Sequence, residues 1–150
     1  MINIYTDGSY NPRTKWGGYG IYIEMNFPNR TSYKRIYGSF KNKNVNFLEL
    51  HAAIKALEYL ESYGFNRFPV VIYSDSKYLV DNFNLNKSRS NIEDWKLLEN
   101  LKGKFNDIDI SWVKGHNDEI KSGNTIAHYL SKKYKYDYEN NQKLKSMRGE

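Results

Sequence analysis

Met1-Ile2-Asn3-Ile4-Tyr5-Thr6-Asp7-Gly8-Ser9 is an alternating run that ends in an acid followed by glycine. Read as a strand, it points Ile2, Ile4 and Thr6 to one side and Asn3, Tyr5 and Asp7 to the other. Asp7-Gly8 is then expected to stop the strand. Glycine permits the positive φ of a sharp turn, and aspartate hydrogen-bonds its own following backbone. This puts a carboxylate at the carboxyl end of a strand, the edge where open α/β sheets place ligands. One acid there is a candidate, and several converging on it would make a site.

The rest of the chain is of a size and composition to build one domain around that strand. Its 150 residues, 39% hydrophobic and 16% aromatic, can bury a core without staples. It contains no cysteine, which excludes disulfides and thiolate metal sites. No apolar run reaches membrane-spanning length, and the first residues already read as a strand rather than a signal peptide, so a cytoplasmic protein with no membrane partner is expected. A start at Met1 directly on that strand suggests a free-standing protein. The net charge of +6 favours a polyanionic partner.

Residues 10–15 read as a loop, and alternation resumes at Gly17-Gly18-Tyr19-Gly20-Ile21-Tyr22-Ile23-Glu24. A Pro/Asn-rich connection at residues 26–30 leads to a third strand at 31–40, which makes an antiparallel meander. The glycines at 17, 18 and 20 are not followed by a helix, so they read as structural rather than as a phosphate cradle. Helical periodicity runs from Asn46 through Phe47, Leu50, Ile54, Leu57 and Leu60 to the closing Tyr63-Gly64. A fourth strand, 69–74, is apolar almost throughout and ends at Asp75, after which a short helix extends to about residue 84. A helix from Asn91 carries Trp95, Leu98 and Leu101 inward, and residues 108–113 form a fifth strand. A polar loop at 114–123 precedes a last helix at 124–134. Residues 135–150 lack periodicity and read as a basic, mobile tail beyond a domain of residues 1–134. The fold expected is α/β: a five-stranded mixed sheet, three antiparallel strands then two parallel, flanked by helices.

Three acids fall at comparable places: Asp7 and Asp75 at strand ends, and Glu49 in the first turn of the long helix. Each has an ordinary explanation alone. Asp75 has the position of an N-cap, and Glu49 stands three residues after Asn46, the spacing of a capping box. Together they suggest more, because crowded carboxylates repel unless a hard divalent cation neutralises them. Two such ions roughly 4 Å apart can stabilise both the attacking and the leaving oxygen of a phosphodiester displacement.

The motifs Thr6-Asp7-Gly8-Ser9, Asn46-Phe47-Leu48-Glu49-Leu50, Ser74-Asp75-Ser76, Asp94-Trp95 and Trp112-Val113-Lys114-Gly115-His116 stand in an order and spacing that resemble the type 1 ribonucleases H and the RNase H domains of reverse transcriptases. The resemblance implies an endonuclease that hydrolyses the RNA strand of RNA/DNA hybrids, leaving a 5′-phosphate and a 3′-OH. It implies two Mg²⁺ or Mn²⁺ ions, with Asp7 bridging them, Asp75 on the ion that activates water and Glu49 on the ion facing the leaving oxygen. Glu49 would also lie near the ribose 2′-OH, which tells RNA from DNA. His116 matches the family's loop histidine, associated with proton handling or product departure. Asn11, Asn44, Asn46, Lys77 and Tyr78 match positions that contact the hybrid backbone. A monomer with no small-molecule cofactor is expected.

Two departures stand out. Only residues 85–94 lie between the short helix and Trp95, so a basic helical protrusion found in bacterial members is missing. In Asn124-Thr125-Ile126-Ala127-His128-Tyr129-Leu130, His128 stands where the family usually has a fourth acid. As a metal ligand it would favour Mn²⁺ over Mg²⁺; otherwise it fills space. The alternative reading is a hybrid- or duplex-binding module whose turnover was weakened or lost with that acid.

Overall fold

The computed structural model describes residues 1–85, 90–114 and 123–150. Strands β1 (Ile2–Tyr10), β2 (Trp16–Phe27) and β3 (Arg30–Lys41) form the antiparallel meander. Helix α1 (Val45–Ser62) crosses to β4 (Val70–Ser74), which lies parallel to β1. Helices α2 (Lys77–Asn82) and α3 (Ile92–Lys102) lead to β5 (Ile108–Trp112), parallel to β4. The sheet order is β3-β2-β1-β4-β5, the mixed five-stranded sheet expected from the sequence. Helices α4 (Gly123–Ser131) and α5 (Tyr134–Met147) follow.

The alternation of β1 and β2 divides the layers. Ile2, Ile4, Ile21 and Ile23 are fully buried, as are Leu50 and Leu57 of α1. Each such side chain removed from water contributes about 1.5–3 kcal/mol. Helix α3 packs behind α1 with Trp95 and Leu98 buried. The opposite face receives α4, and β2 is shaped for it. A Cβ on Gly20 would lie 2.2 Å from the Ala127 carbonyl oxygen and 2.6 Å from the Ser131 nitrogen. The glycines are structural, as the sequence suggested, and Gly20 lets α4 lie directly on the β2 backbone.

Four expectations are corrected. Asp7-Gly8 does not end β1, which continues to Tyr10 because β2 goes on pairing with it through Gly17; only the parallel partner β4 stops earlier, at Thr6↔Ser74. Helix α1 is capped by Asn44, not Asn46: the Asn44 side chain accepts from the Phe47 N–H at 2.9 Å. Ser76, not Asp75, caps α2, its Oγ accepting from the Leu79 N–H at 3.1 Å. The stretch 135–150, read as an aperiodic mobile tail, is helical up to Met147; Ser39 Oγ donates to Asp137 Oδ2 at 2.5 Å, and the Tyr138 ring meets Trp16 edge-on at 6.1 Å. Apart from the buried Tyr134, helix α5 is largely exposed, which is why its sequence carries little helical periodicity.

Candidate active site

The early end of β4 creates the site. Thr6 and Ser74 are the last paired residues of the parallel ladder, so Asp7 and Asp75 are the next residue on each of two neighbouring strands. From the α1 side, Glu49 reaches the same place. Because Asn44 provides the cap, the Glu49 carboxylate is not used at the helix terminus and turns toward β1 instead. One carboxylate oxygen from each of Asp7, Glu49 and Asp75 lies within 4.8 Å of the others. Asp7 and Glu49 are buried, each 4% exposed, while Asp75 is half-buried.

A single backbone group ties two of the acids together. The Gly8 N–H donates to Asp7 Oδ1 at 2.9 Å and to Glu49 Oε1 at 3.0 Å. Only glycine allows this approach without displacement, since a Cβ there would lie 3.1 Å from both the Glu49 nitrogen and the Leu48 Cβ. Burial raises the Glu49 carboxyl well above its ordinary range. The charges of Asp7 and Asp75 push it the same way, opposed by the Gly8 N–H. Glu49 Oε2 is buried and has no hydrogen-bond partner among the described residues. Crowded carboxylates with an unpartnered buried oxygen are a donor set suited to hard divalent cations, which take oxygen ligands.

His128 enters from α4, with its Nδ1 2.7 Å from Asp7 Oδ2. Gly20 makes this possible: it is the register partner of Asp7 on β2 and the contact point of Ala127, the residue before His128. His128 therefore stands beside the three-carboxylate group and reaches it through Asp7. The resulting cleft, about 580 Å³, is lined by Asp7, Glu49, Asp75, Lys77, His128 and Lys132 among others.

The remaining candidates divide. Asn46 and Tyr78 line the cleft with Lys77. Lys77 Nζ lies 5.4 Å from the Trp112 ring centre, a cation over an aromatic face. The Tyr78 hydroxyl is held in the scaffold, accepting from Trp95 Nε1 at 2.9 Å and donating to the Ser90 carbonyl at 3.1 Å. Asn44 is occupied as the helix cap, and Asn11 Oδ1 accepts from the Arg13 N–H at 2.9 Å in the turn after β1. His116 lies outside the described residues. Lys132 was not singled out from the sequence; its signal is its position four residues after His128, one helical turn on.

Comparison with known proteins places this arrangement. The RNase H family model matches residues 1–135. The Ribonuclease H of Francisella tularensis subsp. novicida is 34% identical over 146 residues, covering 88% of this chain and 89% of that protein. The Ribonuclease H of Orientia tsutsugamushi is 31% identical over 144 residues, covering 87% and 79%. The fold is similar to that of the Halobacterium salinarum ribonuclease H, with a TM-score of 0.68 at 17% identity, covering 91% of this chain and 98% of that one. It is similar also to part of the prototype foamy virus protease-reverse transcriptase, with a TM-score of 0.70 at 25% identity, covering 88% of this chain and 20% of that one. Among the described residues no helix is long and apolar enough to cross a membrane. An acidic cluster at the end of a β1–β4 parallel ladder, in a chain matched by the family model from residue 1 to 135, belongs to an enzyme of the RNase H family, an endoribonuclease family.

Proposed function

We propose that this chain cleaves the RNA strand of RNA/DNA hybrids, with Asp7, Glu49 and Asp75 holding two divalent cations and leaving 5′-phosphate and 3′-OH products. The observation that carries the reading is the convergence of those three carboxylates within 4.8 Å in an open cleft. When bound, the cations supply a polarised water and neutralise charge developing on the phosphodiester. The protein's own groups set the stage. β1 and the Gly8 N–H fix Asp7 and Glu49 relative to one another, and the half-buried Asp75 lines the same cleft. His128 orients Asp7 through its Nδ1, in the way that outer hydrogen-bond partners position metal-binding carboxylates. Lys77 and Lys132 bring positive charge to the rim of the cleft, where substrate phosphates would pass. His116 is assigned to proton handling or product departure from its motif alone.

The test is a labelled RNA/DNA hybrid incubated with Mg²⁺ or Mn²⁺ beside RNA/RNA and DNA/DNA duplexes. Cleavage confined to the RNA strand of the hybrid, dependent on added metal and ending in 3′-OH, is the expected result. Binding of the hybrid without cleavage in either metal would replace the proposal with a binding module.

A further inference from the structure

Beyond the catalytic cleft, the face that carries α4 and α5 has a second set of features that the cleft does not use. Tyr37 of β3, Tyr129 of α4 and Tyr136 of α5 are 53%, 61% and 61% exposed, and they lie close together rather than scattered. Single exposed aromatics are ordinary, but a cluster marks an interaction surface. Lys133 joins two of them, with its Nζ 5.2 Å from the Tyr37 ring centre and 5.1 Å from that of Tyr129. Two furrows run through the group. One, about 610 Å³, contains Arg35, Tyr37, Tyr129 and Lys133. The other, about 220 Å³, contains Tyr129, Lys132, Lys133 and Tyr136, with Glu139 as its acid. Tyr129 and Lys133 line both, and Lys132 lines the second furrow and the catalytic cleft alike. The surface is therefore continuous with the site.

We infer that this face binds an unpaired flank of the substrate's RNA strand, stacking its bases on Tyr37, Tyr129 and Tyr136 and pairing its phosphates with Arg35, Lys132 and Lys133. Basic side chains interleaved with exposed rings are the chemistry of single-strand binding, since each base offers a face to stack and each linkage a charge to neutralise. A paired duplex offers its phosphates but buries its base faces, so the rings favour an unpaired strand. The choice of strand rests on the proposed activity. The cleft acts on the RNA strand, and Lys132 connects the cleft to the furrows, so the strand that continues along them is the RNA.

The experiment measures affinity by fluorescence anisotropy with the wild-type protein in EDTA, which prevents turnover. Four hybrids are compared: blunt, with a single-stranded RNA extension at the 5′ end, with one at the 3′ end, and with an extension on the DNA strand. An RNA extension at one end is expected to tighten binding by roughly tenfold, the effect of about one stacked base. The paired substitution Tyr37→Ala with Tyr129→Ala should remove that gain while leaving blunt-hybrid affinity and cleavage unchanged. Tyr37→Phe with Tyr129→Phe should retain it. Lys133→Glu, which leaves the rings in place, should weaken it and serves also if the alanine pair does not fold. Equal affinity for blunt and RNA-extended hybrids, an equal gain from the DNA extension, or a gain that survives in the alanine pair would each overturn the inference. Cleavage measured on the same hybrids keeps the two readings apart. Loss of hybrid cleavage in the wild type would defeat the proposed activity, whereas intact cleavage with no extension gain would defeat only this surface.

Discussion

The two halves of β1 have the same backbone and opposite duties. From Ile2 to Ile4 the strand lies between β2 and β4, and its isoleucines are sealed beneath α1. From Asp7 to Tyr10 it keeps β2 but has no β4 beside it, and the buried side chain at its start is a carboxylate. The first half gains from excluding water; the second crowds charges that favour neither folding nor one another. Stability and chemistry are therefore separated along one strand by the residue at which one partner stops.

That separation can be broken from either end. Asp7→Asn is expected to lower hybrid cleavage by about 10³-fold or more, since it removes a metal-binding charge worth several kcal/mol to the transition state. Its melting temperature should be unchanged or higher, because a source of repulsion is gone. Retained cleavage by the purified variant would refute the metal-holding role. Ile4→Ala should do the reverse, costing about 2–5 kcal/mol in urea unfolding while each folded molecule keeps its activity.

Gly20→Ala tests the link between the halves. Its methyl would meet the Ala127 carbonyl at 2.2 Å, so α4 must move away. A destabilisation of about 1–3 kcal/mol is expected, with a fall in cleavage beyond that explained by the unfolded fraction. Unchanged activity would mean that the position of His128 over Asp7 does not matter. Substitutions of His128 itself sharpen the point. Because His128 positions Asp7, His128→Ala should lower turnover by about tenfold in either metal; a loss confined to Mn²⁺, or a gain in Mg²⁺ with His128→Asp, would instead make it a metal ligand. Identical behaviour of wild type and both variants in both metals would leave Asp7 positioned by β1 alone.

The smallest expected effect concerns His51, on the core side of the sheet. Burial lowers its pKa, with Lys55 adding to the shift and Asp94 and Glu58 opposing it, and its ring packs against Tyr19, Phe40 and Phe47. The unfolded chain takes up this proton near pH ~6.5, before the folded chain does. The stabilisation from neutral His51 is thus fully present above that pH and is lost as the pH falls toward the folded value. Urea midpoints of wild type and His51→Gln should diverge least in acid, and a constant difference across that range would rule the effect out.

Much of this was legible in the sequence because period and punctuation coincide. The alternation of residues 2–6, the glycines of β2 and the heptad-like spacing of Leu50, Leu57 and Leu60 each specify one packing, and together they order the sheet. The acids were legible as a set through their placement rather than through any one of them. What escaped was register and choice between equivalents. Asn44 and Asn46 stand two residues apart around the start of α1, and only the three-dimensional path selects Asn44 as its cap, which leaves Glu49 for the site. The end of β4 at Ser74 was read from the sequence, but nothing local reveals that β2 carries β1 on to Tyr10 beyond it. Helix α5 was missed because it rests on the sheet through Tyr134, Asp137 and Tyr138, too few contacts to imprint a period.

The shared Gly8 N–H has a further consequence for how this site can vary. A donor supplied by the main chain is carried by every residue type but proline, so the bond that sets Asp7 against Glu49 does not depend on which side chains surround it. What constrains position 8 is space, since a Cβ there would lie 3.1 Å from the Glu49 nitrogen and the Leu48 Cβ. The bond between the central pair is thereby independent of side-chain changes at the rim of the cleft. The imidazole meets Asp7 at Oδ2, the oxygen that the Gly8 N–H does not use, so the backbone bond and the histidine act on opposite sides of one carboxylate.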